Sequence, residues 1–189
     1  MVRSSSQGRV AFSQSSQKER PMTDTTGIFV TGLRNAHAME HQALSIMKPQ
    51  VARIEQYPEV AHRLQLHITE TEGQIQRLEQ LLDSFGENRS MLKDAALSLT
   101  GAMAAIAHTT APDEILKNSF ANYAFEHFEI AAYKSLLALS GQAGNSTATS
   151  LLQQNLDEEL AMAQWLDQNI GTVTLKYAGL REMGESAKK

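Results

Sequence analysis

The sequence predicts an all-α protein made of two helical hairpins. Apolar residues recur at three- and four-residue steps over four long stretches, the mark of buried helical faces. Nowhere in the 189 residues is there strand-like alternation or an Asn-Gly hairpin signal. A connection of roughly 30 residues separates the first pair of stretches from the second, long enough to cross a bundle.

The first helix starts near Thr25, and its stripe is Phe29, Leu33, Ala36, Leu44, Met47, Val51 and Ile54. Pro49 is expected to kink it and Tyr57-Pro58 to end it, because proline lacks the amide donor and restricts the residue before it. The second helix is expected over 59–84, with Leu64, Ile68, Ile75, Leu78 and Leu82 facing inward and Gly86 as its C-terminal stop. Residues 91–108 are small-residue rich and weakly amphipathic, and read as a crossover helix. Thr109 to Glu114 combine a capping hydroxyl, Pro112 in the first turn and acids at the positive dipole end. They open a third helix that runs to about Ser140. After a loop at 141–145, a fourth helix covers 146–170 and ends at Gly171, leaving 172–189 as a tail. The order is that of a ferritin-like antiparallel four-helix bundle with an additional crossover helix between helices two and three.

Composition removes other classes. The chain has no cysteine, which excludes disulfides, zinc ribbons, iron–sulfur clusters and thiol nucleophiles. Its formal charge of −4 and pI near 5.9 argue against a body that wraps nucleic acid. No apolar run approaches the roughly 18 residues of a membrane span, and no apolar segment follows Arg3 as a secretory signal requires. A cytoplasmic protein without a membrane partner is expected. Residues 1–24 are serine-rich, glutamine-rich and basic, and read as a disordered arm or a leader, with Met22 an alternative start. A third reading makes them a basic arm that touches nucleic acid or a membrane surface. No Gly-rich phosphate loop and no Gly-x-Ser-x-Gly occurs.

The sharpest signal is an internal repeat. Ala38-Met39-Glu40-His41 matches Ala124-Phe125-Glu126-His127, with Asn35 and Asn122 upstream in nearly the same register. The second helices of the two hairpins match more loosely, His67-Ile68-Thr69-Glu70 against Asn155-Leu156-Asp157-Glu158, and Leu78 falls on Leu166. The offsets are 86 and 88 positions. Glu40 and Glu159 fall in the middle of apolar stripes, with Glu126 on the edge of another. Carboxylates in a bundle core are costly unless protonated, paired or bound to a cation. Several aimed at one axis repel unless a multivalent cation lies between them. The competing reading pairs them with Arg34, Arg77 or Lys134 on the same helices.

These residues resemble the YciE/YciF family of ferritin-like proteins over about residues 27–170. The carriers are Leu33-Arg34-Asn35-Ala36 with Met39-Glu40; His67 through Thr71, Gly73-Gln74 and Arg77-Leu78; Glu126 through Ala131 with Tyr133; and Leu156 through Glu159. The resemblance implies a homodimer with a two-metal centre of iron or manganese, in a protein of the stress response. Carried over by position, the metal ligands are Glu40, Glu70, Glu126, Glu129, Glu158 and Glu159, with His67 as a nitrogen ligand; Glu72 is an alternative to Glu70 on helix two. This chain departs from the di-iron pattern of Glu-x-x-His on two helices: Thr69 and Glu72 stand in helix two, and Met162 follows Glu159 in helix four. A carboxylate-rich or degenerate site is favoured over a redox-competent iron centre. The alternative is a non-catalytic structural or assembly bundle. His37 and His127 are read as near the core, His41 as solvent-facing, and Tyr123, Tyr133 and Trp165 as packing residues.

Overall fold

A computed structural model describes residues 24–87, 111–142 and 145–188. Four helices form there: α1 (Asp24–Val51), α2 (Pro58–Ser84), α3 (Glu114–Gln142) and α4 (Ser146–Glu182). The described residues contain no strand. The expected crossover helix at 91–108 and the arm at 1–23 lie outside them.

Side-chain pairs set the directions. Arg34 meets Glu87 and Lys48 meets Glu72, so α1 and α2 are antiparallel. Tyr133 meets Asn155 and Tyr123 meets Asp167, so α3 and α4 are antiparallel. Glu40 meets Tyr133 and Arg53 meets Glu114, which makes α1 antiparallel to α3 as well. It follows that α2 and α3 are parallel on a diagonal. The end of α2 lies beside Arg34 and the start of α3 beside Arg53, roughly 30 Å apart at helical rise. A tight turn cannot join them, which is why the chain needs its long central connection.

The core is the predicted stripes brought together. Leu33, Leu64, Leu78, Leu152 and Leu166 are all buried. Each such side chain contributes about 1.5–3 kcal/mol relative to an exposed one. Gly86 ends α2 as expected: its φ of 77° is open to glycine, and the Glu87 amide returns to the Leu82 carbonyl at 3.1 Å. Asn145 caps α4, its side-chain oxygen accepting from the Ala148 amide at 3.0 Å.

Two expected boundaries are corrected. Pro49 sits in the last turn of α1 and the helix stops at Val51, before Tyr57-Pro58. Gly171 does not end α4, which continues to Glu182 because Val173 and Leu180 bury a further apolar stripe. The stop is Gly184, with φ 74° and the Glu185 amide bonded to the Leu180 carbonyl at 2.9 Å. The residues beyond fold back: the Tyr57 hydroxyl donates to the Ala187 carbonyl at 2.8 Å. The Ile115 amide, an unpaired donor in the first turn of α3, bonds the Lys188 carbonyl at 2.9 Å.

Candidate metal centre

Helical spacing builds the centre. On α2, His67, Thr71 and Gln74 share the inward face of Leu64 and Leu78; on α3, Glu126, Glu129 and Tyr133 do the same. Helix α4 adds Asn155, Glu159 and Met162, and α1 adds Glu40. All ten of these side chains are buried. His67, Glu126, Glu129 and Glu159 each bring a ligand atom within 4.8 Å of the others. The His67 Nε2 atom is 3.2 Å from Glu126 Oε2 and 3.4 Å from Glu159 Oε2. On the other side of the ring, Nδ1 lies 2.8 Å from Glu70 Oε2, which also accepts from Arg63 at 3.0 Å. Gln74 donates to Glu159 Oε1.

The charge in this interior is poorly matched. Five carboxylate oxygens there (Glu40 Oε2, Glu126 Oε2, both of Glu129 and Glu159 Oε2) are buried without a hydrogen bond among the described residues. The bases named from sequence go elsewhere: Arg34 to Glu87, Arg77 to Glu158 and Asn155, while Lys134 is exposed. Burial, then Glu159, pushes the Glu40 carboxyl well above its usual range. Burial, then Glu159 and Glu40, does the same to Glu129. Glu126 is raised by burial to about 8, with His67 pulling against it. For Glu159 burial is outweighed by His67 and Gln74, and the carboxyl is lowered. Burial disfavours a charged His67 ring, but Glu126 first and then Glu159 and Glu70 hold its pKa well above the usual imidazole value. Without a cation, then, the site retains protons where carboxylates ordinarily have none.

Of the eight candidate ligands, the structure brings His67, Glu126, Glu129 and Glu159 together at one point. Glu40 lies in the same interior, its Oε1 accepting from the Tyr133 hydroxyl at 2.5 Å. Glu70 stands behind the His67 ring, and Glu158 is held by Arg77. Glu72 is exposed and pairs with Lys48 at 2.8 Å, one helical step away from the inward face. His127 is exposed, not near the core. Tyr133 does more than pack: Asn155 donates to its oxygen at 2.9 Å while it donates to Glu40. Gln74 and Asn155 were not singled out as site residues. Their signal was position, seven residues after His67 and four before Glu159.

The repeat is built into the geometry. His37 and His41 stack edge-to-face with centroids 4.6 Å apart, and Tyr123 and His127, 86 positions later, repeat the contact at 4.6 Å. His37 Nε2 faces Glu79 at 3.6 Å, and the equivalent Tyr123 bonds Asp167 at 3.2 Å. The hairpins are therefore related by a pseudo-twofold axis, and Glu40 and Glu126 are its equivalent carboxylates.

An all-α bundle that buries three carboxylates and a histidine at one point defines the class: a ferritin-like scaffold with a site able to hold a metal ion. Comparison with known proteins supplies the family. Residues 24–179 match the family described as a domain of unknown function, DUF892. The chain is 27% identical to protein YciF of Escherichia coli K12 over 139 residues, covering 71% of this chain and 82% of that one. The crystal structure of a Xanthomonas campestris pv. campestris protein superposes with TM-score 0.70 at 26% identity, covering 84% of this chain and 98% of the other. The crystal structure of the E. coli stress protein YciF shares the fold, with TM-score 0.63 at 24% identity over 79% of this chain and 96% of that one. The chain belongs to the DUF892 family, that of YciE and YciF. None of its described helices is long and apolar enough to cross a membrane.

Proposed function

We propose that this protein binds iron or manganese in its core, through His67, Glu126, Glu129 and Glu159, and handles oxygen or peroxide during stress. One observation carries the reading: Glu129 is 1% exposed, neither of its oxygens has a hydrogen-bond partner among the described residues, and three further ligand groups lie within 4.8 Å. Carboxylate oxygens with one imidazole nitrogen suit ferrous iron or manganese better than softer or purely oxygen-seeking ions. The neighbours support the role. Glu70 on Nδ1 fixes the ring so that Nε2 faces the carboxylates, as outer partners of ligating histidines do. A bound redox ion would supply electron transfer; the chain's own groups orient it and keep water away.

Elemental analysis of the purified protein, with an aerobic ferrous titration followed by absorbance, tests this. Stoichiometric metal that is lost in Glu126→Gln and Glu129→Gln supports it. Absence of bound metal, with the two variants folding as well as the parent, favours the second reading, a structural bundle with a degenerate site. The observation behind that alternative is that the inward positions 74 and 162 are Gln and Met, not histidine. We further propose a cytoplasmic homodimer. The E. coli relative YciF is a stress protein, which supports the stress role, and a light-scattering mass tests the assembly.

A further inference from the structure

The pseudo-twofold axis allows each ligand to be compared with its mate. In the register of the repeat, Glu126 corresponds to Glu40, Glu129 to Ala43, His67 to Asn155 and Glu159 to Thr71. All eight positions are buried, so each pair occupies equivalent interior places. One set offers three carboxylates and an imidazole. The mate offers one carboxylate, a methyl, an amide and a hydroxyl.

The surviving groups of the mate are already engaged. Thr71 Oγ1 donates to the His67 carbonyl at 2.9 Å, within its own helix. The Asn155 amide is used at both ends, accepting from Arg77 Nε and donating to the Tyr133 oxygen. Tyr133 then donates to Glu40 Oε1 at 2.5 Å. Every step of this chain donates inward from the Arg77 cation, so it presents Glu40 with positive polarity where a second ion would otherwise sit. In the register of the repeat Tyr133 corresponds to Met47, whose side chain has no hydrogen to donate.

The structure assigns one metal ion per chain to this core, held by His67, Glu126, Glu129 and Glu159, with the pseudo-symmetric second position replaced by the Arg77–Asn155–Tyr133–Glu40 chain. The assignment rests on the metal-binding reading above and narrows it from two ions to one.

Equilibrium dialysis of the metal-stripped full chain against manganous chloride, with elemental analysis of the retained protein, reads the number directly. One equivalent at saturation, with the hyperfine pattern of an isolated Mn(II) in the electron paramagnetic resonance spectrum, is the expected result. Two equivalents, or an exchange-coupled spectrum, overturn the assignment while leaving metal binding intact. No retained manganese, and none with ferrous iron under argon, overturns the metal-binding reading and this assignment with it. Two near-isosteric variants keep the asymmetry testable: Glu129→Gln loses the bound equivalent, whereas Glu40→Gln retains it. Equal loss in both, with helical content unchanged by circular dichroism, means that Glu40 is a full ligand and the assigned ligand set is wrong.

Discussion

The two hairpins share a frame and differ in their interiors. The stacked rings of His37–His41 and Tyr123–His127, and the cross-helix contacts of His37 and Tyr123, occupy matching places. Inside, α3 carries Glu126 and Glu129 where α1 carries Glu40 and Ala43, and α2 carries His67 where α4 carries Asn155. The frame is maintained by apolar volume, which either half supplies equally well. The interior is maintained by charge balance, and one histidine cannot neutralise two separate sets of carboxylates. The halves also end differently. Helix α2 stops at a glycine with positive φ, while α4 continues past the equivalent point by about ten residues and sends the chain back over Tyr57 and Ile115.

If the frame is equivalent in both halves, matched core truncations should cost alike. Leu64 and Leu152 are repeat equivalents, and both are fully buried. Leu64→Ala and Leu152→Ala are each expected to lose about 2–5 kcal/mol, within the range for buried leucines. Urea denaturation measures both, and a value near zero for either breaks the equivalence.

The interiors should respond unequally. Removing His67 in the metal-free protein leaves Glu126 and Glu159 without their cationic partner, a loss of about 3 kcal/mol near neutral pH. Asn155→Ala deletes a neutral hydrogen bond to Tyr133 and one from Arg77, which keeps Glu158 as its partner, and about 1–2 kcal/mol is expected. Similar losses for the two would mean that His67 is a packing residue like its mate.

Titration sharpens the same contrast. Glu126, with burial raising it from 4.5 to about 8, contributes stability that is complete below pH 4.5 and lost as the pH rises through about 8. Glu40 and Glu129, raised chiefly by burial, act in the same direction. His67 is raised despite its burial, by Glu126 above all; its contribution is complete below 6.5 and is lost as the pH rises through the raised value. Glu159 and Glu70 are lowered, so their contribution is present above 4.5 and lost as the pH falls through their lowered values. The metal-free melting temperature should therefore be highest near pH 4.5 and decline as the pH rises from there through about 8. Differential scanning calorimetry across that range checks it, and Glu129→Gln should flatten the alkaline decline.

What was legible in the sequence followed from periodicity and backbone constraint. The stripes through Leu33, Leu64 and Leu152 place the helices, and Gly86 marks its stop because only glycine takes that φ readily. Gly171 misleads for a related reason. A glycine inside a helix costs only about 1 kcal/mol, and burying Val173 and Leu180 outweighs it. The repeat makes Glu40 and Glu126 visible, since acids in apolar stripes stand out. Tyr133 does not stand out, because an aromatic in a stripe satisfies the pattern whether or not its hydroxyl is used. Gln74 and Asn155 are hidden by their neutrality, since a search for ligands favours charge.

Glu72 gives the smallest expected effect and the sharpest check on reading ligands from sequence alone. It is next to the inward Thr71, yet one residue turns a helix by about 100°, enough to carry a side chain from core to solvent. There it meets Lys48 at 2.8 Å with both side chains about half exposed. Exposed pairs of this kind contribute about 0–1 kcal/mol, less in salt. Glu72→Gln should leave both the urea midpoint and the retained manganese unchanged. Loss of the metal in this variant would require α2 to rotate so that Glu72 replaced Thr71 on the inward face, which would remove His67 from Glu126 and undo the asymmetry between the two halves.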